Sequence, residues 1–438
     1  MLSDMGAHLE VRDKKTLEQL GEKGETLLKM GAELVLGEDY LSPMRADYIF
    51  RSPGFRPDMP VLREAVENGA VVPSEMELFL EMFPAPVIGV TGSDGKSTTT
   101  TIISKILAGA GKKTFLGGNI GEPLLHRIGE MDENSVVAAE LSSFQLMTVR
   151  SPVTVAVIKN VTPNHLNWHT GMEEYIEAKA NILKGCKTAV LNYDDEVCRK
   201  LGEECRSPVI WFSRKPIPAD FLRRYKGGVY DKNGVITHYD TVTDKETEIL
   251  DRKDIILPGD HNAENYSTAI AATLDFADAE TVRGVAKTFG GVQHRFEVVR
   301  KLDGVVYYNS SIDSSPTRTA AAISSLKCPV RIICGGYDKN IPFEPLADAL
   351  INHGNIKTVV LTGATAEKIK KAITEHKGYK ASGIELLQKE DFTEAVLAAA
   401  RAAQPGDAVL LSPACASFDA FENFEKRGER FREIVNSL

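Results

Sequence analysis

The chain has 438 residues, room for roughly three domains of ordinary size. At 43% apolar and 26% charged it has the composition of a folded globular protein, which excludes a disordered or fibrous chain. A net charge of −9 argues against the broad basic face that nucleic acid requires, and no apolar run approaches the ~18 residues of a membrane-spanning helix.

The opening stretch MLSDMGAHLEVRDKK places Asp4 where a secretory signal needs an apolar core, so no signal peptide is read there. Residues 1–83 alternate short extended runs, HLEVRD, AELVLG and DYIFRSPG, with helical stretches. A second section, 84–290, opens on the β-branched run Val87-Ile88-Gly89-Val90, which follows Pro84 and Pro86 and reads as a buried strand. Next comes GVTGSDGKSTTTT, with Gly92 and Gly95 punctuating a turn. From Lys96 to Ala110 the pattern is helical, and Gly111 stops it.

Strand, glycine turn and helix N-terminus form the geometry that binds phosphate. The stretch Gly92, Ser93, Asp94, Gly95, Lys96, Ser97, Thr98 is therefore the candidate nucleotide cradle. Lys96 would reach the β- and γ-phosphates, and the Ser97 hydroxyl would ligate Mg2+. The spacing is Gly-x-x-Gly-Lys: Val90 stands where the general phosphate loop has its first glycine. An ordinary glycine corner is the competing reading, and Lys-Ser-Thr at the helix start favours phosphate.

Further strands are expected at Thr114–Leu116, Ser135–Glu140, Val153–Lys159, Thr188–Asp195 and Val209–Ser213. Helical stretches between them indicate a mainly parallel α/β sheet. The third section, 291–438, repeats the doubly wound pattern with strands at Val305–Tyr308, Val330–Cys334, Thr358–Leu361 and Ala408–Leu411. A last helix from about Asp419 carries Phe421, Phe424, Phe431 and Ile434 at helical spacing, read as a core stripe. The six cysteines form no C-x-x-C pair and read as reduced thiols of a cytoplasmic protein; Cys415, with no His near it in sequence, reads as a buried filler.

Ligands of open α/β sheets bind at the carboxyl ends of strands. Glu140 ends such a strand and is a candidate Mg2+ ligand, with a solvent-facing carboxylate as the alternative. His165, in NVTPNHLNWH, ends another; His169 reads as structural. Lys179, taken alone, is a solvated helix lysine. Asn262 and Asn265 begin an Ala-rich helix and suit either an adenine edge or helix capping. Arg295 lies at the joint of the second and third sections, where a guanidinium can clamp a transferring phosphoryl group. Lys339 and Ser412–Ser417 follow strands of the third section and suit a small carboxylate.

Together the stretches TGSDGKST, GGNIG, ELSSFQL, NHL with Lys179, HNAEN, HRFE, GGYDK and LSPACASFDAFENFEKRG resemble the Mur ligase family along nearly the whole chain. The resemblance implies three α/β domains: a Rossmann-like substrate domain, a central ATP-binding parallel sheet and a C-terminal Rossmann-like domain. It implies an ATP- and Mg2+-dependent ligase that works through an acyl phosphate. GGNIG, ELSSFQL and SPACAS point to UDP-N-acetylmuramoyl-L-alanine and D-glutamate as substrates, handled by a monomer without nucleic acid or membrane. A folylpolyglutamate synthase-like ligase and an impaired nucleotide-binding paralogue are the alternatives.

By matching position, Lys96 would steady phosphates, Ser97 and Glu140 would hold one Mg2+, and His165 a second. Lys179 matches a lysine carbamylated in the family, which turns it into an anion that can serve a Mg2+ site. Asn119, Ser142 and Gln145 would line the muramoyl-alanine site. Asn262 and Asn265 would meet adenine, and Arg295 the γ-phosphate. Lys339, Ser417 and Phe424 would hold D-glutamate, with Asp13 and Ser52-Pro53-Gly54 on the uridine side.

Several positions depart from the family pattern. GAHLEVRD corresponds to its second strand, so the first domain is expected to lack its first strand; a late start is the favoured reading, beside a fragment or an impaired domain. Asp94 stands where Asn is common, and Asn164 and Asn167 where Asp is usual. In NSSIDSSPT, Ser310 replaces an Asp and Asp313 adds a carboxylate where Ala is common, which would weaken nucleotide affinity.

Overall fold

The computed structural model describes residues 3, 6–166, 168–339 and 341–438; Asn167, singled out above, lies outside them. Three sheets organise the chain. In the first, β1 (Glu10–Asp13) pairs in parallel with β2 (Glu33–Leu36), in the register Glu10↔Glu33. The third extended run, DYIFRSPG, does not become a strand. It makes one parallel bridge, Tyr48↔Val71, and the Arg51 amide still donates to Pro73 O at 3.3 Å, but Pro53 and Pro73 have no N–H with which to extend a ladder.

The second sheet comprises β3 (Val87–Thr91), β4 (Lys113–Gly118), β5 (Ser135–Glu140), β6 (Val155–Ile158), β7 (Thr188–Asn192), β8 (Val209–Ser213), β9 (Gly227–Lys232), β10 (Val235–Asp240) and β11 (Lys245–Asp251). They lie in the order β11-β10-β9-β8-β7-β6-β3-β5-β4. β4 to β9 and β3 are joined by parallel pairings, and β9 to β11 form an antiparallel meander that the sequence reading did not anticipate. Helices cover both faces of the parallel part, so β3, β5, β6, β7 and β8 are buried along their whole length. One face packs Ile102, Ile106, Tyr266 and Ile270; the other packs Leu146, Tyr175, Ile182 and Trp211. From β3 the chain moves to one side for β4 and β5, then crosses to the other for β6 and β7. The crevice between the ends of β3 and β6 is thus a topological switch point, where such sheets bind ligands.

The third sheet comprises β12 (Glu297–Leu302), β13 (Val305–Asn309), β14 (Val330–Cys334), β15 (Ile356–Leu361), β16 (Glu385–Gln388) and β17 (Ala408–Leu411), in the order β12-β13-β17-β14-β15-β16. β12 is antiparallel and the rest are parallel. The loops after β13, β14 and β17 therefore open at one edge. The last helix spans Phe424–Ser437, starting later than the sequence reading placed it. Asn423 caps it by accepting the Lys426 amide at 2.8 Å. Phe431 and Ile434 are buried in the core, whereas Phe421 precedes the helix and packs edge-on against Phe392. All six cysteines are free thiols; Cys415 is buried against Thr365, and burial pushes its pKa up to about 11.

Candidate active site

The phosphate loop leaves β3 at Thr91 and enters the helix Lys96–Gly109. Gly95 sits at φ +76°, and a Cβ there would lie 2.7 Å from Asn265 Oδ1, so only glycine fits. It also has no side chain to cap the helix, which leaves the first turn's dipole facing the loop. The loop's shape is held from the end of β6: Asn160 Oδ1 accepts the amides of Ser93 at 3.0 Å and Asp94 at 2.8 Å. The Ser93 hydroxyl bridges Thr162 O and Tyr175 OH, so Ser93 shapes the loop with its side chain. Lys96 Nζ folds back onto the carbonyls of Gly92 and Ser93, both at 2.9 Å. Ser97 is buried and Thr98 half-buried at the helix start.

Glu140, at the end of β5, is 2% exposed. Its Oε1 accepts Asn119 Nδ2 at 2.8 Å, while Oε2 is buried without a hydrogen-bond partner. Such an orphaned oxygen is costly unless something cationic meets it. Three cations feel this carboxylate: Lys96, Lys179 and Arg295. Desolvation lowers the pKa of each, and Glu140 opposes the shift.

Lys179 is 1% exposed, so the solvated-lysine reading is corrected. Its Nζ donates to Gly92 O at 2.8 Å and lies 4.5 Å from the Tyr175 ring. Burial, reinforced by Lys96, pulls its pKa down to about 7. His165 is exposed at φ +55°, its ring 5.1 Å from Phe144; partial desolvation of the ring, with the charges of Lys96 and Lys179, lowers its pKa and so favours the neutral, ligand-competent form.

A Mg2+ ion fits this donor set. The partnerless Glu140 oxygen and the Ser97 hydroxyl are hard oxygen ligands beside a phosphate loop. Among the described residues no group of three His, Cys, Asp or Glu side chains forms a metal cage.

Beside the loop is a cavity of about 420 Å3, lined by Gly95, Lys159, Asp194, Arg214, His261 and Asn265 among others. Asn265 belongs to it, but its amide is engaged: Oδ1 accepts Lys159 Nζ, and Nδ2 donates to Asn262 Oδ1 at 3.0 Å. Asn262, expected at adenine, is not in the lining. It donates to Pro258 O at 2.8 Å and braces Asn265 from behind. Lys159 was not singled out from the sequence; its place at the end of the apolar run VTVAVI, one residue before Asn160, was the available signal. It is buried, and desolvation brings its pKa to about 8 despite Glu264.

A second cavity, of about 340 Å3, joins the first and second sections: Pro53, Glu75, Asn119, Gly121 and Gln145 line it. Ser142 does not line it. Ser142 and Gln145 form a capping box, with Gln145 Oε1 accepting the Ser142 amide at 2.9 Å. Asp13 ends β1 and caps a turn through the Lys15 amide, outside this lining, as are Ser52 and Gly54.

Arg295 is half-buried at the joint, and it feels Asp313 as well as Glu140. Asp313 is buried, accepts the Ser412 hydroxyl at 2.8 Å, and has its pKa raised by desolvation. Across the third sheet's edge, the bridge Tyr337↔Ala416 sets the loop of exposed Lys339 beside that of buried Ser417. Phe424 O accepts the Ser311 hydroxyl at 2.8 Å. Arg427, missed from the sequence, binds these loops together: it donates to Ser311 Oγ, Ser311 O, Cys415 O and Ala416 O at 2.8–3.0 Å. Its position four residues before Phe431, on the buried helix face, was the signal.

A glycine turn at a helix N-terminus, an orphaned carboxylate, buried lysines and a half-buried arginine are the features of a nucleotide-using α/β enzyme. The chain matches the Mur ligase middle domain over residues 90–273 and the Mur ligase, glutamate ligase domain over 294–415. A UDP-N-acetylmuramoylalanine–D-glutamate ligase of Ruminiclostridium cellulolyticum is 44% identical, with 100% of this chain and 93% of the relative covered. The enzyme so named from Acetivibrio thermocellus is 46% identical over 98% of this chain and 90% of its own. The solved UDP-N-acetylmuramate-alanine ligase of Thermotoga maritima shares the fold, at TM-score 0.56 and 18% identity, over 95% of this chain and 91% of that one. The chain belongs to the Mur ligase family, ATP-dependent ligases that form amide bonds in peptidoglycan precursor synthesis. No helix among the described residues is long and apolar enough to cross a membrane.

Proposed function

We propose that this chain adds D-glutamate to UDP-N-acetylmuramoyl-L-alanine with ATP, through an acyl phosphate. The observation that carries the reading is the partnerless Glu140 oxygen beside the phosphate loop, a carboxylate whose charge is felt by Lys96, Lys179 and Arg295. The units are taken as 1–83 for the UDP substrate, 84–290 for ATP and 291–438 for the amino acid.

A carboxylate is a poor electrophile and must first acquire a leaving group. An oxygen of the alanyl carboxylate attacks the γ-phosphorus, the bond to the ADP oxygen breaks, and an acyl phosphate forms. Lys96 and Arg295 stabilise the charge that spreads over the transferring group. The D-glutamate amine then attacks the carbonyl carbon, loses a proton, and the C–O bond to phosphate breaks. Ser97 and Glu140 would hold one Mg2+ and His165 a second, with a carbamylated Lys179 serving a metal site, and the metal would supply charge neutralisation at the reacting phosphates. Asn119 and Gln145 meet the muramoyl-alanine, Ser142 by holding Gln145. Asp13 and Ser52-Pro53-Gly54 lie on the uridine side. Gly92–Thr98 carry the phosphates, and Asn265, braced by Asn262, flanks the adenine. Lys339, Ser417 and Phe424 receive D-glutamate. The enzyme acts as a cytoplasmic monomer.

The test is oxygen transfer. With 18O in the alanyl carboxylate, the released phosphate carries one labelled oxygen. Unlabelled phosphate rules out the acyl phosphate.

A further inference from the structure

The loop that carries His165 is fastened to the first section through Arg56. Arg56 Nη2 and Nη1 grip the two oxygens of Glu174 at 2.8 and 3.1 Å, and Nη1 also donates to Trp168 O at 2.8 Å. Asp58 holds the guanidinium's other edge at 2.9 and 3.0 Å. The guanidinium carbon lies 5.1 Å from the Trp168 ring centroid, and Trp168 Nε1 donates to Gly54 O at 2.8 Å. Glu174 continues inward, with Oε2 3.0 Å from His169 Nδ1; His169 Nε2 lies 2.9 Å from Ser143 Oγ. The amides of Trp168 and His169 both donate to His165 O at 3.0 Å.

Ser143, His169 and Glu174 have the spacing of a nucleophile, base and acid. Ser143 and His169 are each only 3% exposed, however, so no substrate carbonyl can approach the hydroxyl. The chain is a brace. Its inner end is the helix Ser143–Leu146, which presents Gln145 to the second cavity. Its outer end adjoins Pro53, on the same cavity's other wall. A single guanidinium thus ties two walls of one cavity to the His165 loop. An isolated surface ion pair contributes little, but a bidentate pair within a network fixes geometry.

We propose that Arg56 is a positioning residue for phosphoryl transfer, holding the Glu174–His169 brace so that the His165 loop and Gln145, on the wall of the second cavity, keep their places relative to each other. The role rests on the ligase reading given above. Arg56→Gln removes the fork, and Arg56→Lys keeps charge without it. Both variants are expected to lower kcat by about tenfold or more, because small misplacements of reacting groups are costly. Both are also expected to raise the Mg2+ concentration for half-maximal rate several-fold. ADP affinity, read by calorimetry, stays within about twofold, since the nucleotide cavity shares none of these residues. Amide hydrogen exchange is the second arm: Trp168 and His169 lose about tenfold or more of their protection while the helix Lys96–Gly109 keeps its own.

Full activity in Arg56→Lys overturns the geometric role, as does a kcat loss matched by an equal loss of ADP affinity. Unchanged exchange at Trp168 and His169 overturns it even if wild-type protein releases no phosphate, an outcome that sinks the ligase reading separately.

Discussion

Lys179→Met, read against wild type in buffers with and without CO2, probes the most perturbed group of the site. Burial and Lys96 bring the Lys179 pKa from its ordinary 10.5 to about 7. Near pH 7.5 such an amine is about three-quarters neutral, against about one in a thousand for an unperturbed lysine. Carbamate formation needs the neutral amine: the nitrogen attacks CO2, an N–C bond forms and a proton leaves. The enrichment of reactive amine is therefore several hundredfold. The product is an anion, which Lys96 favours where a second ammonium was penalised. With 13C-labelled bicarbonate, one carbamate resonance should rise as pH increases through about 7 and be absent in Lys179→Met. In CO2-free buffer the same shift affects stability. The folded pKa lies below the unfolded one, so between about 7 and 10.5 the unfolded chain holds a proton the folded chain lacks. Stability then rises with pH by up to ~1.4 kcal/mol per unit, a slope the methionine variant loses. A carbamate signal that persists in Lys179→Met, or none in wild type, refutes the reasoning.

Lys96→Met removes the donor that lies against Gly92 O and Ser93 O, and should cut phosphate release from ATP by roughly 10²–10³-fold without lowering the melting temperature. Gly335→Ala places a Cβ 1.9 Å from Thr362 O at φ +119°; a loss of about 3 kcal/mol or more is expected in urea unfolding of the C-terminal unit. Arg427→Ala strands the four acceptors it serves, costing about 3 kcal/mol in the same assay and raising KM for the amino acid more than KM for ATP.

Local signals read well. Val87–Val90 before Gly92 and Gly95 gave strand, turn and helix because β-branched burial and glycine punctuation act over a few residues. The antiparallel meander was overlooked although its turn was legible: Asn233-Gly234 adopt φ +57° and +86° between two alternating runs, the usual hairpin signal. DYIFRSPG has strand composition, yet its fate depended on Pro73, a partner outside the run. The start of the last helix was misread because its phenylalanine stripe begins before the cap at Asn423. Within the site, strand-end position pointed to Glu140, but residue type alone gave neither the burial of Lys179 nor the inward turn of Asn262, which depends on Pro258 and Asn265. The Arg56–Glu174 pair spans 118 residues of chain, and nothing local to either announces it.

The central claim is tested most directly by phosphate release from ATP and Mg2+ with this chain, given UDP-N-acetylmuramoyl-L-alanine with and without D-glutamate. The account predicts sustained release only when both are present, with one amide bond formed per phosphate. Sustained release without D-glutamate, or none with both substrates, contradicts it.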